Sequence, residues 1–462
     1  MTMWQPMLEG RPGPRYLALA QALVDDVVDG RLAPGARLPT HRDLADHLGV
    51  TVGTVSRAYS EAARRGLVSV EVGRGTFVRG RAAPDLRLGS REPGIIDLSQ
   101  HHPPPFCDLS LRQSFEKAVL ALSHHESLEA ILDYPAEGGN AGDREAGAAW
   151  LSRTGLDARP ENVLVCSGSQ HGMVTVLATL LEPGDLLLTE ELTYPGLKAV
   201  AGLLHLRLRA LPLDDDGLRP NAFEQACRTS SARVLYIVPT IQNPTASVMS
   251  LARRQQIAAI ARAQGVAVVE DDIHALLPTE RPAPITAFAP ETSYYLMSTS
   301  KTLVPGLRIA YVLSPPGHFA RLAGSLRATV WAAPPLMAAL ASAWIRDRTA
   351  DTLLEDRRKA AAARQARAHT VLAGARFEAH AAGYFLWLHL PEPWRSDTFA
   401  AEVRARGVAV TPAEAFAVGR SPVPHAVRVC LGGARNEDEL ERGLHVIAEV
   451  LAGGREAGAA IV

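Results

Sequence analysis

The run Val266-Ala267-Val268-Val269-Glu270-Asp271-Asp272 limits what this chain can fold into more than any other stretch. Four apolar residues in succession offer no polar face to water, so a strand built from them must be covered on both sides, with the acids marking its carboxyl end. A parallel sheet between layers of helices provides that environment. The neighbouring sequence agrees: from about residue 160, strand-like and helix-like runs alternate through Val163-Leu164-Val165, a helix from Ser169 to Leu181, Asp185-Leu186-Leu187-Leu188, Val234-Leu235-Tyr236-Ile237-Val238 and the strands ahead of Asp271 and Lys301. The expected architecture is α/β with a mainly parallel sheet, and ligands of such sheets gather at the carboxyl ends of the strands.

Lys301 stands at one of those ends. The chain has four lysines, and Lys117, Lys198 and Lys359 fall in amphipathic, helix-like runs. Lys301 instead follows the strand-like Ser293-Tyr294-Tyr295-Leu296-Met297 and sits among Ser298, Thr299, Ser300, the Pro305-Gly306 turn and Arg308. An amine in that position can form an imine with an aldehyde, while Ser298, Ser300 and Arg308 hold a phosphate. An aldehyde and a phosphate together suggest pyridoxal phosphate; the alternative is a surface loop with a stray lysine. Asp271 fits the first reading, because a carboxylate against a pyridine nitrogen keeps the ring protonated and able to draw electrons from a breaking bond. Ser167-Gly168-Ser169-Gln170, between a strand and its helix, offers amides and hydroxyls to the phosphate. Tyr194, in Tyr194-Pro195-Gly196, either stacks on a flat ring or is a core tyrosine. Asn243 follows the Val234 strand, from which its amide can reach the cofactor's phenolic oxygen.

A chain of 462 residues, 47% hydrophobic, has room for two or three domains with a substantial core. Its formal net charge of -1 gives no whole-chain attraction to nucleic acid or acidic membranes, so any DNA contact must come from a local patch. No apolar run reaches the roughly 18 residues that suggest a membrane span, and the start lacks a charged end followed by an apolar stretch. That predicts a cytoplasmic protein with no membrane partner. Cys107, Cys166, Cys227 and Cys430 lie far apart without a Cys-x-x-Cys, so neither a metal site nor a disulfide framework is expected.

Residues 1–80 read differently. Tyr16 to Leu32 carries apolar residues at helical spacing and ends before Pro34-Gly35. Thr40 caps a short helix, His41 to Leu48, which Gly49 stops; Thr51 caps a second, running to Arg65. Leu67-Val68-Ser69-Val70 and Thr76-Phe77-Val78, joined through Gly73-Arg74-Gly75, make a hairpin wing. Two short helices around a tight glycine turn form either a helix-turn-helix whose second helix enters a DNA major groove or a plain structural unit. Residues 1–81 hold eleven arginines, no lysine and eight acids, a local excess of three positive charges. Arg42, Arg57 and Arg74, with Thr51 and Thr54 at the leading end of the second helix, are the candidate contacts to double-stranded DNA. Residues 81–105, with their Pro and Gly clusters, read as a linker, and residues 106–462 as the second domain.

Leu38-Pro39-Thr40-His41-Arg42-Asp43-Leu44-Ala45, Gly49-Val50-Thr51, Thr54-Val55, Gly66-Leu67-Val68 and Gly73-Arg74-Gly75-Thr76-Phe77-Val78 together resemble the winged-helix domain of GntR-type transcription regulators. Further on, Tyr134 with a nearby Gly-Gly, Ser167-Gly168-Ser169-Gln170, Tyr194-Pro195, Asn243-Pro244-Thr245, Asp271, Ser298-Thr299-Ser300-Lys301, Arg308 and Val427-Arg428-Val429 arrive in an order that resembles fold-type I pyridoxal-phosphate proteins of the aspartate aminotransferase group. This second resemblance implies that Lys301 forms the internal aldimine, Asp271 pairs with the pyridine nitrogen and Asn243 contacts the phenolic oxygen. It also implies that Ser169, Gln170, Ser298, Ser300 and Arg308 hold the phosphate, that Tyr134 crosses to a partner subunit of a homodimer, and that Arg428 clamps a substrate carboxylate. Where that group usually carries a tyrosine two or three positions after the aspartate, this chain has Ile273 and His274; the histidine either donates to the phenolic oxygen or packs. A winged helix, a linker and an aminotransferase-like domain in that order resemble the MocR regulators. That resemblance implies a dimeric transcription factor that senses pyridoxal phosphate or a small amino compound. The competing reading is a working aminotransferase acting on an amino acid, since Lys301, Asp271, Asn243 and Arg428 are all present.

Overall fold

The chain divides into two units, Met1–Ser90 and Arg91–Val462, in a computed structural model that describes residues 4, 6–8, 13–28, 31–32, 36–64, 68–71, 75–78, 94–106, 110–124, 128–419 and 423–459. The first unit contains α1 (Arg15–Val28), α2 (His41–Leu48), α3 (Val52–Arg64), β1 (Val68–Glu71) and β2 (Gly75–Val78). Side-chain caps set its helix ends: Thr40 Oγ1 accepts from the Asp43 amide at 3.2 Å, and Gly49, at φ 60°, ends α2 in the left-handed region that glycine enters most readily. Thr51 Oγ1 accepts from the Thr54 amide at 3.2 Å and starts α3. Helix α1 is shorter than its apolar pattern suggests: it ends at Val28, and the Leu32 amide donates to Asp26 O at 2.9 Å. Leu19, Leu23, Leu44, Val55, Tyr59, Val68 and Val78 close one core between the helices and the antiparallel β1–β2 hairpin. Full burial of such a side chain contributes about 1.5–3 kcal/mol before chain entropy is counted. The wing's Gly73 and Arg74 lie outside the described residues.

The second unit is built from β3 (Ile96–Asp97), β4 (Val163–Cys166), β5 (Leu186–Glu190), β6 (Arg207–Leu211), a small β7–β8 hairpin (Leu213–Asp214, Gly217–Leu218), β9 (Val234–Ile237), β10 (Ala267–Asp271), β11 (Ser293–Ser298), β12 (Ala310–Leu313), β13 (Phe377–Ala379), β14 (Phe385–His389), β15 (Val408–Ala409), β16 (Thr411–Pro412) and β17 (Ala426–Cys430). Seven strands form one sheet in the order β4-β12-β11-β10-β9-β5-β6. All neighbours are parallel except at β12, which runs antiparallel to both β4 and β11. The continuous apolar runs are buried as expected: β4, β9, β11 and β12 are buried at every position. A separate antiparallel sheet, β13-β14-β17-β16, carries the C-terminal part of the chain.

The expected linker requires correction at its C-terminal half. Residues 81–93 lie outside the described residues, but from Gly94 onward the chain is built into the second unit. Ile96 and Asp97 pair in parallel with Val408 and Ala409, and Pro103 and Pro104 are buried. Proline carries no amide donor, so a proline-rich segment can be buried without stranding N–H groups. Gly432 and Gly433 pack on this segment so closely that a Cβ would stand 1.8 Å from His102 O and 2.0 Å from Asp97 O. Among the described residues no helix is long and apolar enough to cross a membrane, and no cluster of His, Cys, Asp and Glu could hold a metal ion.

Candidate functional site

Strand register brings most of the candidate residues of the second unit to one end of the main sheet. Ser298 pairs with Ala310, and Ala310 with Cys166, so the turn Ser167-Gly168-Ser169 and the start of the Ser298–Lys301 segment flank the same strand. Asp271 pairs with Leu296 on the adjacent strand, two residues before Ser298. Tyr194 follows β5 and Asn243 follows β9, which completes a row of loops at the carboxyl ends of the parallel strands.

The phosphate candidates form a seat. Gly168, at φ 87°, opens the helix Ser169–Leu180, and a Cβ there would lie 2.4 Å from an Arg308 guanidinium nitrogen, so only glycine leaves room for that cation. Ser298 Oγ accepts from the Ser300 amide at 3.1 Å and donates to Ser300 Oγ at 2.9 Å. Ser169 is the first residue of its helix, where free amides and the positive end of the helix dipole favour an anion. Gln170 Nε2 donates to Gly196 O at 3.0 Å, and the Tyr194 ring lies so near Gly196 that a Cβ would stand 2.2 Å from it. Tyr194 therefore packs on its own turn while remaining partly exposed.

The electrostatics suit a pyridine ring and a reactive amine. Asp271 is buried; Oδ2 accepts the Tyr236 hydroxyl at 2.5 Å, while Oδ1 is buried without a well-aligned partner. Burial pushes its pKa up to about 6, with the Tyr236 hydrogen bond pulling the other way. Burial pulls the Lys301 amine down to about 8; the Cys430 thiol opposes that shift, and the Arg428 and Arg308 cations add to it. Lys301 Nζ donates to His101 O, and Tyr384 donates to Lys301 O at 2.7 Å. Arg428 is buried on β17; it donates to Asn243 Oδ1 at 2.7 Å and to Ser99 O at 2.8 Å, its guanidinium 4.8 Å from the Phe416 ring centre. His274 is buried, its Nε2 3.3 Å from His101 Nε2, and burial holds its pKa down at about 3, so the ring is neutral.

Tyr134 stands apart from this group. It is 81% exposed, with the Trp331 ring centre 5.9 Å away. Three participants escape a reading of the sequence: Tyr236, Ser99 and His101. Tyr236 lies within a strand whose apolar pattern is readable, but its tie to Asp271 is not; Ser99 and His101 act through their carbonyls, which no side-chain motif reports.

In the first unit, Arg42 on α2, Thr51 just ahead of α3 and Arg57 within α3 are exposed, whereas Thr54 is half-buried with its hydroxyl 2.9 Å from that of Thr51. Arg57, Thr51 and Thr54 line a shallow cleft of about 260 Å³ with Arg15, Tyr16 and Gly53. Two cations and the leading turn of a helix thus face a common hollow. Arg74 lies outside the described residues.

Comparison with known proteins follows the same division. The family "Bacterial regulatory proteins, gntR family" matches residues 15–78, and "Aminotransferase class I and II" matches residues 104–447. The HTH-type transcriptional regulator YdeF of Bacillus subtilis is 32% identical, over 97% of this chain and 96% of its own. The HTH-type pyridoxine biosynthesis transcriptional regulator PdxR of Corynebacterium glutamicum is 30% identical over 65% of this chain and 66% of its own. The crystal structure of the α-aminoadipate aminotransferase LysN of Thermus thermophilus, complexed with N-(5'-phosphopyridoxyl)-L-leucine, superposes with a TM-score of 0.71 at 24% identity, over 79% of this chain and 94% of that one. With a DNA-binding GntR domain ahead of an aminotransferase fold, the chain belongs to the class I and II aminotransferase family and, within it, to the HTH-type transcriptional regulators.

Proposed function

We propose that this protein regulates transcription by binding double-stranded DNA through its winged helix while its second unit holds pyridoxal 5'-phosphate and senses that cofactor or a small amino compound reacting with it. The observation that carries this reading is the meeting, at the ends of adjacent strands, of a lysine whose pKa burial pulls down to about 8 and a buried carboxylate with one oxygen open, Lys301 and Asp271. The name of PdxR, a pyridoxine biosynthesis regulator, and the phosphopyridoxyl adduct in LysN support the choice of cofactor. When bound, that cofactor supplies an aldehyde and an electron-withdrawing ring. Toward it, Lys301 would offer its amine to the aldehyde, Asp271 Oδ1 would face the pyridine nitrogen, and Asn243 would lie toward the phenolic oxygen. Ser169, Gln170, Ser298, Ser300 and Arg308 receive the phosphate, Tyr194 flanks the ring, and Arg428 receives the carboxylate of the amino compound.

Tyr134, exposed beside the exposed Trp331, together with the exposed Phe115, Val119 and Leu120 of the helix Ser110–Ser123, supports a homodimer in which such apolar groups meet a second copy. A protein acting on the chromosome works in the cytoplasm of a bacterium. Amino-group transfer on an amino acid is the second reading, favoured by the full set of Lys301, Asp271, Asn243 and Arg428. Titration of the purified full chain with pyridoxal 5'-phosphate tests the cofactor assignment. A visible absorbance band should form with the natural chain and be absent from Lys301→Ala; an equal band in the variant would remove Lys301 from its role.

A further inference from the structure

Residues Asp97–His102 lie across the candidate site as a strap fixed at both ends. On the N-terminal side the Leu98 amide donates to Ala409 O at 2.9 Å, and the Cys430 amide donates to Leu98 O at 2.7 Å. On the C-terminal side Gly432 packs against His102 O with no room for a Cβ. Between these anchors two carbonyls face the cations that a ligand must engage: Ser99 O accepts Arg428 Nη2 at 2.8 Å, and His101 O accepts Lys301 Nζ. The His101 ring is itself wedged, with its centre 4.9 Å from that of His274 and 4.9 Å, edge-on, from that of Phe385.

Both hydrogen bonds are ones a ligand would replace. A carbonyl offers a guanidinium one neutral acceptor, whereas a carboxylate offers a full opposite charge and two oxygens for a bidentate pair. Condensation with an aldehyde removes the two N–H groups of the neutral Lys301 amine, one of which His101 O holds. We propose that the strap Asp97–His102 is an intramolecular competitor for this site, in which His101 positions Lys301, and Ser99 holds Arg428, until ligand displaces them. The proposal rests on Lys301 being the cofactor lysine.

Hydrogen exchange on the full chain, with and without pyridoxal 5'-phosphate, tests this. Peptides covering residues 97–104 should exchange at least about threefold faster once the cofactor is attached, because local opening sets amide exchange. His101→Gly removes the wedge and should bind pyridoxal 5'-phosphate about three- to tenfold more tightly by absorbance titration, as expected when a competing conformation is depopulated. Strap exchange unchanged or slowed in a protein whose absorbance shows attached cofactor overturns the proposal and leaves the cofactor reading standing. A His101→Gly variant that binds no more tightly than the natural chain overturns it as well. If no absorbance change forms at all, the cofactor reading fails and the proposal falls with it. Should His101→Gly not fold, the exchange experiment on the natural chain decides alone.

Discussion

The two units keep their functional groups in opposite surroundings. In the winged helix, Arg42, Thr51 and Arg57 stand in solvent, on the ends and faces of helices that are packed through other residues. In the aminotransferase-like unit, Asp271, Asn243, Ser298 and Arg428 are buried, and the Asp271 and Lys301 ionisations are displaced from their ordinary ranges by that burial. Reading a phosphate backbone requires reach, which costs the fold little. The proposed handling of an aldehyde and a pyridine ring would use desolvated groups, and desolvation is a standing cost to the fold. The difference teaches which unit trades stability for function.

Lys301 gives the largest expected effect. With its amine at about 8 rather than 10.5, roughly a quarter is unprotonated at pH 7.5, against about 0.1% for an ordinary lysine. The folded state favours the neutral amine, so the initial rate of pyridoxal 5'-phosphate attachment should rise through pH 8 and level off above it. A rate still climbing through pH 10 would place Lys301 in a solvent-like setting and break the contrast.

Asp271 gives the next. Its folded pKa of about 6 lies above the ordinary 3.8, so burial of the charged form weakens the fold progressively as pH rises between those values and fully above the higher one. Asp271→Asn should therefore stabilise the cofactor-free protein at pH 8 by up to roughly 3 kcal/mol, with the gain vanishing below about pH 4, at the ordinary 1.4 kcal/mol per pKa unit. Denaturant unfolding at both pH values checks this, and equal gains at both would contradict it. For the exposed side of the comparison, Arg42→Ala with Arg57→Ala should change stability by less than about 0.5 kcal/mol. The same pair should lower the salt dependence of DNA binding by about one for each phosphate that is no longer neutralised. An unchanged salt slope would take both arginines off the DNA.

What can be read in the sequence divides along the same line. Thr40, Gly49 and Thr51 act on residues within one or two helical turns, so the helix pair and its caps are readable locally. The Ser298–Lys301 segment is readable because chemistry concentrates several special residues in a few positions. The hydrogen bonds that complete the site span the chain: Tyr236 and Asp271 are 35 residues apart, His101 and Lys301 200, Ser99 and Arg428 329. Two of those use backbone carbonyls, which every residue carries. The segment after Gly94 reads as linker because proline and histidine composition reports poor helix formation and says nothing of burial against Gly432 and Gly433. Departures such as His274 are visible as residues, but its neutral state and its partner His101 follow from burial alone.

The proposed function has Lys301 chemistry in the second unit govern DNA binding by the first. Its most direct test is DNA occupancy of purified full-length protein at a site captured from the source genome, measured for the natural chain and Lys301→Ala, with and without pyridoxal 5'-phosphate and added amino compounds. Cofactor or amino compound should shift occupancy of the natural chain by about fivefold or more, the ordinary scale of a coupling near 1 kcal/mol. Lys301→Ala should still bind DNA but show no such shift. Occupancy of the natural chain that is indifferent to cofactor and amino compound, alongside rapid multiple-turnover amino transfer, would contradict the account and leave an aminotransferase carrying a winged helix.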